Sequence, residues 1–139
     1  MEITELLDRA TNAWNRHDRD AYVAFHTEDY EIVTPDVAAN GHDGVRQFWA
    51  ANCGPFPENQ VTVLRVVADG TTIVEEGVFA GTNTGPLPMP DGTELPATGA
   101  AVSIPYVAWH TVRDGLFASS HFYWDSMAFL QQLGLLQEQ

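Results

Sequence analysis

The chain has 139 residues, 45% of them apolar and spread evenly, which predicts one domain (residues 1–139) with a single sizeable core rather than a disordered chain. It carries 19 acids against 6 basic residues, a formal charge of -13, so nucleic acid or an anionic membrane would be repelled with no basic patch to offset it. All 6 basic residues are arginines, and without lysine there is no Schiff-base chemistry, no lysine-anchored pyridoxal phosphate and no phosphate-loop lysine. Cys53 is alone, which leaves no disulfide within the chain and no thiolate metal site. The first residues lack the basic and apolar regions of a signal peptide, and no apolar run approaches membrane length. The expectation is a soluble, cytoplasmic protein.

Residues 2–16 set Ile3, Leu6, Leu7, Ala10 and Trp14 at helical spacing and predict an amphipathic first helix. Asn15-Arg16-His17-Asp18 interrupts it, and Asp18 is placed to cap a second short helix carrying Tyr22 and Phe25. Tyr30 to Thr34 alternates and stops at Pro35, as a short strand does. Gly41-His42-Asp43-Gly44 then leads into a third helix through Val45, Phe48 and Trp49, with Asp43 as its N-cap and Gly54-Pro55 as its end.

From residue 60 the pattern changes to strands. Residues 61–67 and 72–80 flank Asp69-Gly70, and residues 101–112 and 116–124 flank Asp114-Gly115, both strong hairpin signals. Between them, residues 81–98 are rich in Gly, Pro and Thr, with a further turn at Asp91-Gly92. Residues 126–134 close the chain as a short helix. Helices first and a meander of strands after predict an α+β fold.

The last hairpin carries the candidate chemistry. A two-residue turn at Asp114-Gly115 opposes Arg113 to Leu116, so Tyr106 faces Tyr123, Ala108 faces His121 and His110 faces Ser119. One face then collects Tyr106, His110, His121, Tyr123 and Asp125, while the other collects Val107, Trp109, Phe122 and Trp124. Tyrosines, histidines and an acid suit a partly wet cavity with convergent polar groups. The indole-rich face suits burial against another layer or subunit. The plainer alternative makes the first face solvated and the second the core.

Asp125 ends a strand just before a helix. That is where an N-cap sits, with a lowered pKa, and equally where a general acid/base would sit, working best with a raised one. His121, two residues earlier on the same face, is its candidate partner. Glu75 and Glu76 are adjacent in a strand and face opposite ways, so they are not a catalytic pair; Arg65 and Glu76 share a face and can form an ion pair. No Gly-x-Ser-x-Gly elbow, His-Glu-x-x-His or glycine-rich phosphate loop is present. A metal site from His110, His121 and an acid has no spacing motif behind it.

The sequence resembles the SnoaL-like polyketide cyclases, within the nuclear transport factor 2-like superfamily. The resemblance rests on Trp14-Asn-Arg-His-Asp18, Gly44-Val-Arg46, Gly81-Thr-Asn-Thr-Gly-Pro-Leu87 and Pro96-Ala-Thr-Gly99. It continues through Arg113-Asp-Gly115, Trp124-Asp125 and Gln132-Leu-Gly134, and so spans nearly the whole chain. It implies a cone-shaped α+β barrel: three N-terminal helices on a strongly curved, mainly antiparallel sheet enclosing a pocket, with a short C-terminal helix.

The resemblance further implies an intramolecular aldol ring closure that needs no metal or organic cofactor, with Asp125 as acid/base and His121 assisting. Tyr106, Tyr123 and His110 would then line the cavity around a hydrophobic, carbonyl-containing substrate, with Trp14 and Tyr30 adding wall from the helical side. It also implies a homodimer joined through sheet surface, burying Trp109, Phe122 and Trp124. The family's glycine-threonine motif carries histidine where this chain has Asn83. Ketone isomerisation or dehydration in the same pocket is one alternative, and a non-catalytic small-molecule binder or dimerisation protein is another.

Overall fold

The computed structural model describes residues 2–89 and 91–136. Helix α1 (Ile3–Asn15) buries Leu6, Leu7, Ala10, Ala13 and Trp14, the stripe that its apolar spacing demands. Asp18 caps α2 (Arg19–Ala24) by accepting from the Ala21 amide at 3.1 Å. Strand β1 (His26–Val33) starts four residues before the expected position, because His26 and Thr27 are buried despite their polarity. After β2 (Ala38–Asn40), helix α3 (Gly41–Cys53) begins two residues earlier than Asp43. Asp43 is therefore not its N-cap; it lies in the first turn and pairs with Arg46 at 2.9 Å.

The strands follow as β3 (Gln60–Asp69), β4 (Thr72–Thr82), the two-residue strands β5 (Leu87–Pro88) and β6 (Glu94–Leu95), then β7 (Ala101–Arg113) and β8 (Leu116–Trp124). Helix α4 (Ser126–Leu133) closes the described chain and ends on Gly134 in the left-handed conformation. The main sheet has the order β2-β1-β8-β7-β4-β3, antiparallel throughout except for the β1–β8 pair. The β7–β8 turn is made by Asp114 and Gly115, both at positive φ (55° and 75°), the geometry that matches the right-handed twist of the flanking strands.

Helices α1 to α3 cover the inward face. Leu6, Leu7, Ala10, Val23, Tyr30, Ile32, Val45 and Ile73 form the main core with Val112 and Phe117. A second cluster of Phe56, Leu87, Val102, Ile104 and Leu133 lies under α4. Two side-chain amides act as substitute strand partners at sheet edges. Asn15 bonds both backbone groups of Val61 at 2.8 Å, fixing the end of α1 to β3. Gln132 does the same for Ser103, at 2.7 and 3.1 Å, fixing α4 to β7 beyond the end of β8.

One local feature reverses the expected faces of the last hairpin. Arg113 faces Leu116 and Val112 faces Phe117 as the turn requires, but Thr111 faces Ser119, which leaves Ala118 as an extra residue on β8. From there every partner is displaced by one: His110 faces Ser120, Trp109 faces His121, Ala108 faces Phe122, Val107 faces Tyr123 and Tyr106 faces Trp124. Since strand side chains alternate, a one-residue bulge exchanges the two faces of β8 for the rest of its length. His121 and Tyr123 therefore point outward with Trp109, and Phe122 and Trp124 point inward with Tyr106 and His110.

Candidate functional site

The inward face of β4 reads Ile73, Glu75, Gly77, Phe79, and the second of these is a carboxylate only 5% exposed. Both of its oxygens are engaged. Tyr106 donates its phenolic hydrogen to one at 2.8 Å, and His110 Nε2 lies 2.6 Å from the other. On the far side of the ring, His110 Nδ1 is 2.6 Å from the Ser120 hydroxyl. Tyr30, Ser120, His110 and Tyr106 are all buried.

The polarity of this chain is self-consistent. A carboxylate accepts only, so with Glu75 ionised the Nε2 proton belongs to His110. With the imidazole neutral, Nδ1 accepts from the Ser120 O–H; with it protonated, Nδ1 donates to Ser120 Oγ. With Glu75 ionised, His110 and Tyr106 both donate to it, one to each oxygen. Ser120 is no hydrolase nucleophile in this setting. It lies in the ladder between β1 and β7, facing Ile32 and His110, where backbone amides are committed to strand pairing rather than free to stabilise an oxyanion.

Burial and the negative Glu75 both raise the pKa of Tyr106, so it stays a phenol and a donor. Burial likewise raises Tyr22 and Tyr30, with Glu75 contributing to both. His26, 3% exposed, donates from Nδ1 to the Tyr22 carbonyl at 2.9 Å, and burial pushes its pKa down to about 4. Around these groups stands an aromatic wall. Trp14 packs edge-on against Tyr22 and Trp49, Phe48 packs on Phe122, and Phe122 lies beside both Tyr106 and His110. Trp14 itself is anchored by its indole N–H on Asn59 at 2.7 Å.

Of the residues expected at the site, Tyr106, His110, Trp14 and Tyr30 meet inside the sheet, whereas Asp125, His121 and Tyr123 do not. Asp125 is exposed and caps α4, its carboxylate accepting from the Ala128 amide at 3.0 Å. His121 is exposed and stacks alongside Tyr123, which is 59% exposed, on the outer surface. The bulge at Ala118 is the reason. It also separates His110 from His121, so the two cannot share a metal; among the described residues no group of three or more His, Cys, Asp or Glu is arranged to hold one.

Glu75 and Ser120 are the members that sequence reading passes over. The available signal was Glu75 itself, a carboxylate on the strand parity of Ile73, Gly77 and Phe79. Glu75 and Glu76 do face opposite ways, and Glu76 pairs with Arg65 at 2.7 Å as expected. Asn83 is wholly buried and fully used: it donates to the carbonyls of Pro55 and Gly85 and accepts from the amide and hydroxyl of Thr98. At this position the chain has a structural tie between three loops.

Two shallow surface depressions, of about 280 and 140 Å³, lie on the sheet. The first lies on β1 and β2, and the second lies between Glu76, Pro105, Tyr106, Val107 and Tyr123. Val66, paired with Glu75 and on the same inward parity, is 39% exposed, so the cover over this row is thinnest along the β3 edge.

Three helices on the inward face of a curved sheet, closed by a fourth at its end, define a cone-shaped α+β protein of the nuclear transport factor 2-like type. The SnoaL-like domain signature matches residues 7–120, and the chain belongs to that family. Among solved structures it is similar to a protein from Jannaschia sp. CCS1 assigned as a SnoaL-like polyketide cyclase, at 23% identity, 97% of this chain, 93% of that one and a TM-score of 0.83. It is similar to AclR of Streptomyces galilaeus, assigned as a hydroxylase, at 20% identity, 99% and 87% coverage and a TM-score of 0.81. It is also similar to IdmH of Streptomyces antibioticus, assigned as a polyketide cyclase, at 21% identity, 96% and 99% coverage and a TM-score of 0.78. No functionally curated protein matches the sequence. No helix among the described residues is long and apolar enough to cross a membrane.

Proposed function

We propose that this chain is an acid/base enzyme acting on a hydrophobic, carbonyl-containing small molecule, with intramolecular aldol cyclisation as the first reading. The observation that carries it is Glu75. Burying a carboxylate with no arginine or lysine beside it costs several kcal/mol, roughly, even after relaxation. Such groups concentrate where proton transfer is done. In this reading Glu75 removes a proton from the carbon beside a substrate carbonyl, and the Glu75–His110 pair holds it. Tyr106 turns its O–H to the enolate oxygen. The enolate carbon attacks a second carbonyl of the same molecule, and the resulting alkoxide takes the proton back. Isomerisation or dehydration would use the same proton transfer with a different second step, and neither scheme calls on a cofactor.

The family assignment supports this class, since polyketide-cyclase assignments recur among the fold's relatives. The test is turnover of a panel of aromatic polycarbonyl compounds by the purified chain and by Glu75→Gln. The expected result is a loss of about 100-fold or more in the variant, the scale of a general base, with the circular dichroism spectrum unchanged. Unimpaired turnover by Glu75→Gln would remove Glu75 from the chemistry.

A second reading, a non-catalytic binder or dimerisation protein, is favoured by the Glu75 carboxylate having both oxygens already bonded within the chain. It requires that no member of the panel be turned over while the Glu75 network contributes only to stability. In either reading we propose that the outer sheet face joins two copies of the chain. Val67, Val74, Trp109, His121 and Val33 are successive cross-strand neighbours there, a row crossing five strands. Val67 is 67% and Trp109 54% exposed, and among the described residues no helix covers that face.

A further inference from the structure

Every permanent cation of this chain lies on its surface. Lysine is absent, and all six arginines are exposed. Arg65 and Arg113 are held on the outside by Glu76 and Asp29. Inside, the carboxylate of Glu75 has no arginine or lysine beside it; among the described residues its partners are the Tyr106 phenol and the His110 imidazole, whose other nitrogen is taken by Ser120. The second interior histidine, His26, is kept uncharged by its burial. The remaining wall is aromatic.

Two ligand chemistries behave oppositely in such a site. A ligand carboxylate brought beside Glu75 would place two like charges a few ångströms apart in a medium that screens poorly, with at most one imidazole to divide between them. It would also surrender its hydration to a wall of rings. A ketone, ester or unionised enol brings no charge. Its oxygen can take the Tyr106 hydrogen, and an acidic C–H or O–H can face the Glu75 oxygen that Tyr106 releases. The site as built exchanges one neutral donor for another without adding a charge.

We infer that the interior site selects uncharged carbonyl ligands over carboxylates of the same size and shape, and that Glu75 is the residue that makes the selection. This rests on reading the interior as the ligand site, and it narrows the substrate from any carbonyl compound to one that is uncharged at its reacting end. The selection operates through the same carboxylate that takes the proton, so specificity and reactivity are set by one group.

The test is isothermal titration of the full chain with a matched pair, 2-acetylnaphthalene and 2-naphthoate, at a pH well above the pKa of the acid. The two probes differ by a methyl group against a charged oxygen. The ketone is expected to bind at least about tenfold more tightly, a modest fraction of what Coulomb repulsion at this depth can supply. In Glu75→Gln the gap is expected to close, with naphthoate gaining affinity. Equal or tighter binding of naphthoate to the unsubstituted chain overturns the selection while leaving the interior as a ligand site. A gap that persists unchanged in Glu75→Gln overturns the assignment to Glu75. Binding of neither probe takes down the ligand-site reading and this inference with it.

Discussion

Gly77 lies directly opposite Tyr106 in the β4–β7 ladder, and the Tyr106 phenol reaches Glu75 by passing over the space where a Gly77 side chain would stand. A Cβ at Gly77 would sit 2.6 Å from the Tyr106 hydroxyl oxygen and 2.8 Å from the Thr62 carbonyl, both too close to occur. The glycine is therefore part of the site. Gly77→Ala is expected to destabilise the fold by about 1–3 kcal/mol, the scale of overpacking. It should also drive the phenol off the carboxylate, so that its effect on turnover matches that of Tyr106→Phe and the double variant is no worse than either. Chemical denaturation and a double-mutant cycle measure both; additive losses would separate Gly77 from the Tyr106–Glu75 contact.

His26 gives the fold an acid sensitivity whose sign can be worked out. Burial is the main cause that takes its pKa from 6.5 to about 4; the bonds to the Tyr22 and Val23 carbonyls oppose this, while nearby His110 and His42 add to it. Between those two pH values the unfolded chain takes up a proton that the folded chain refuses. The contribution of His26 is therefore complete above pH 6.5 and is lost as pH falls toward about 4. The loss is on the order of 3 kcal/mol. His26→Asn keeps a donor where Nδ1 stands but does not titrate. Urea midpoints measured across this window should fall with pH for the unsubstituted chain and run flatter for the variant. Parallel curves would put the acid sensitivity elsewhere.

Why these groups were only partly legible in the sequence is a matter of parity. The helices were readable because the stripe of Leu6, Leu7, Ala10 and Trp14 is long, and the hairpins because Asp114-Gly115 can adopt two positive φ angles. Tyr106 and His110 were placed correctly because β7 alternates without interruption from Val102 to Val112. His121, Tyr123 and Asp125 were placed on the wrong face because one residue, Ala118, is extruded from β8, and an alanine carries no local signature of a bulge. Glu75 was passed over because it was weighed against its neighbour Glu76 rather than against its face. Its partners come from β7, and a pairing across 31 to 35 residues is not written in any local spacing.

The outer row predicts a dimer with a defined weak point. Trp109 sits at the middle of that row, between Val74 and His121, with no charge directly beside it in the ladder. Central aromatic anchors carry most of an interface's energy, typically about 2 kcal/mol or more each. Trp109→Glu is therefore expected to convert the chain to a monomer with little change in melting temperature measured at low concentration, since the side chain is 54% exposed on the outer face. Sedimentation velocity at micromolar concentration reads both species. A monomeric unsubstituted chain would remove the interface, and a dimeric Trp109→Glu would move it off this face.

Asp125 separates the two places where the acid could reside. Its carboxylate accepts from the Ala128 amide at 3.0 Å and is exposed, the arrangement of a helix cap. A cap acts through its oxygen rather than its charge, so asparagine substitutes well and alanine does not. Asp125→Ala is expected to lose about 1 kcal/mol of stability, much of it from α4, and Asp125→Asn only a few tenths. A catalytic carboxylate behaves the other way: asparagine cannot take a proton, so Asp125→Asn would lose turnover while keeping the helix. With Glu75 as the base, Asp125→Asn keeps its turnover and Glu75→Gln does not. The two variants assayed side by side, each with its denaturation midpoint, decide between the carboxylates. Turnover lost in Asp125→Asn at unchanged stability would return the chemistry to the end of β8 and require β8 to re-register there, since only a ladder without the Ala118 bulge brings residues 121 and 125 onto the face of His110.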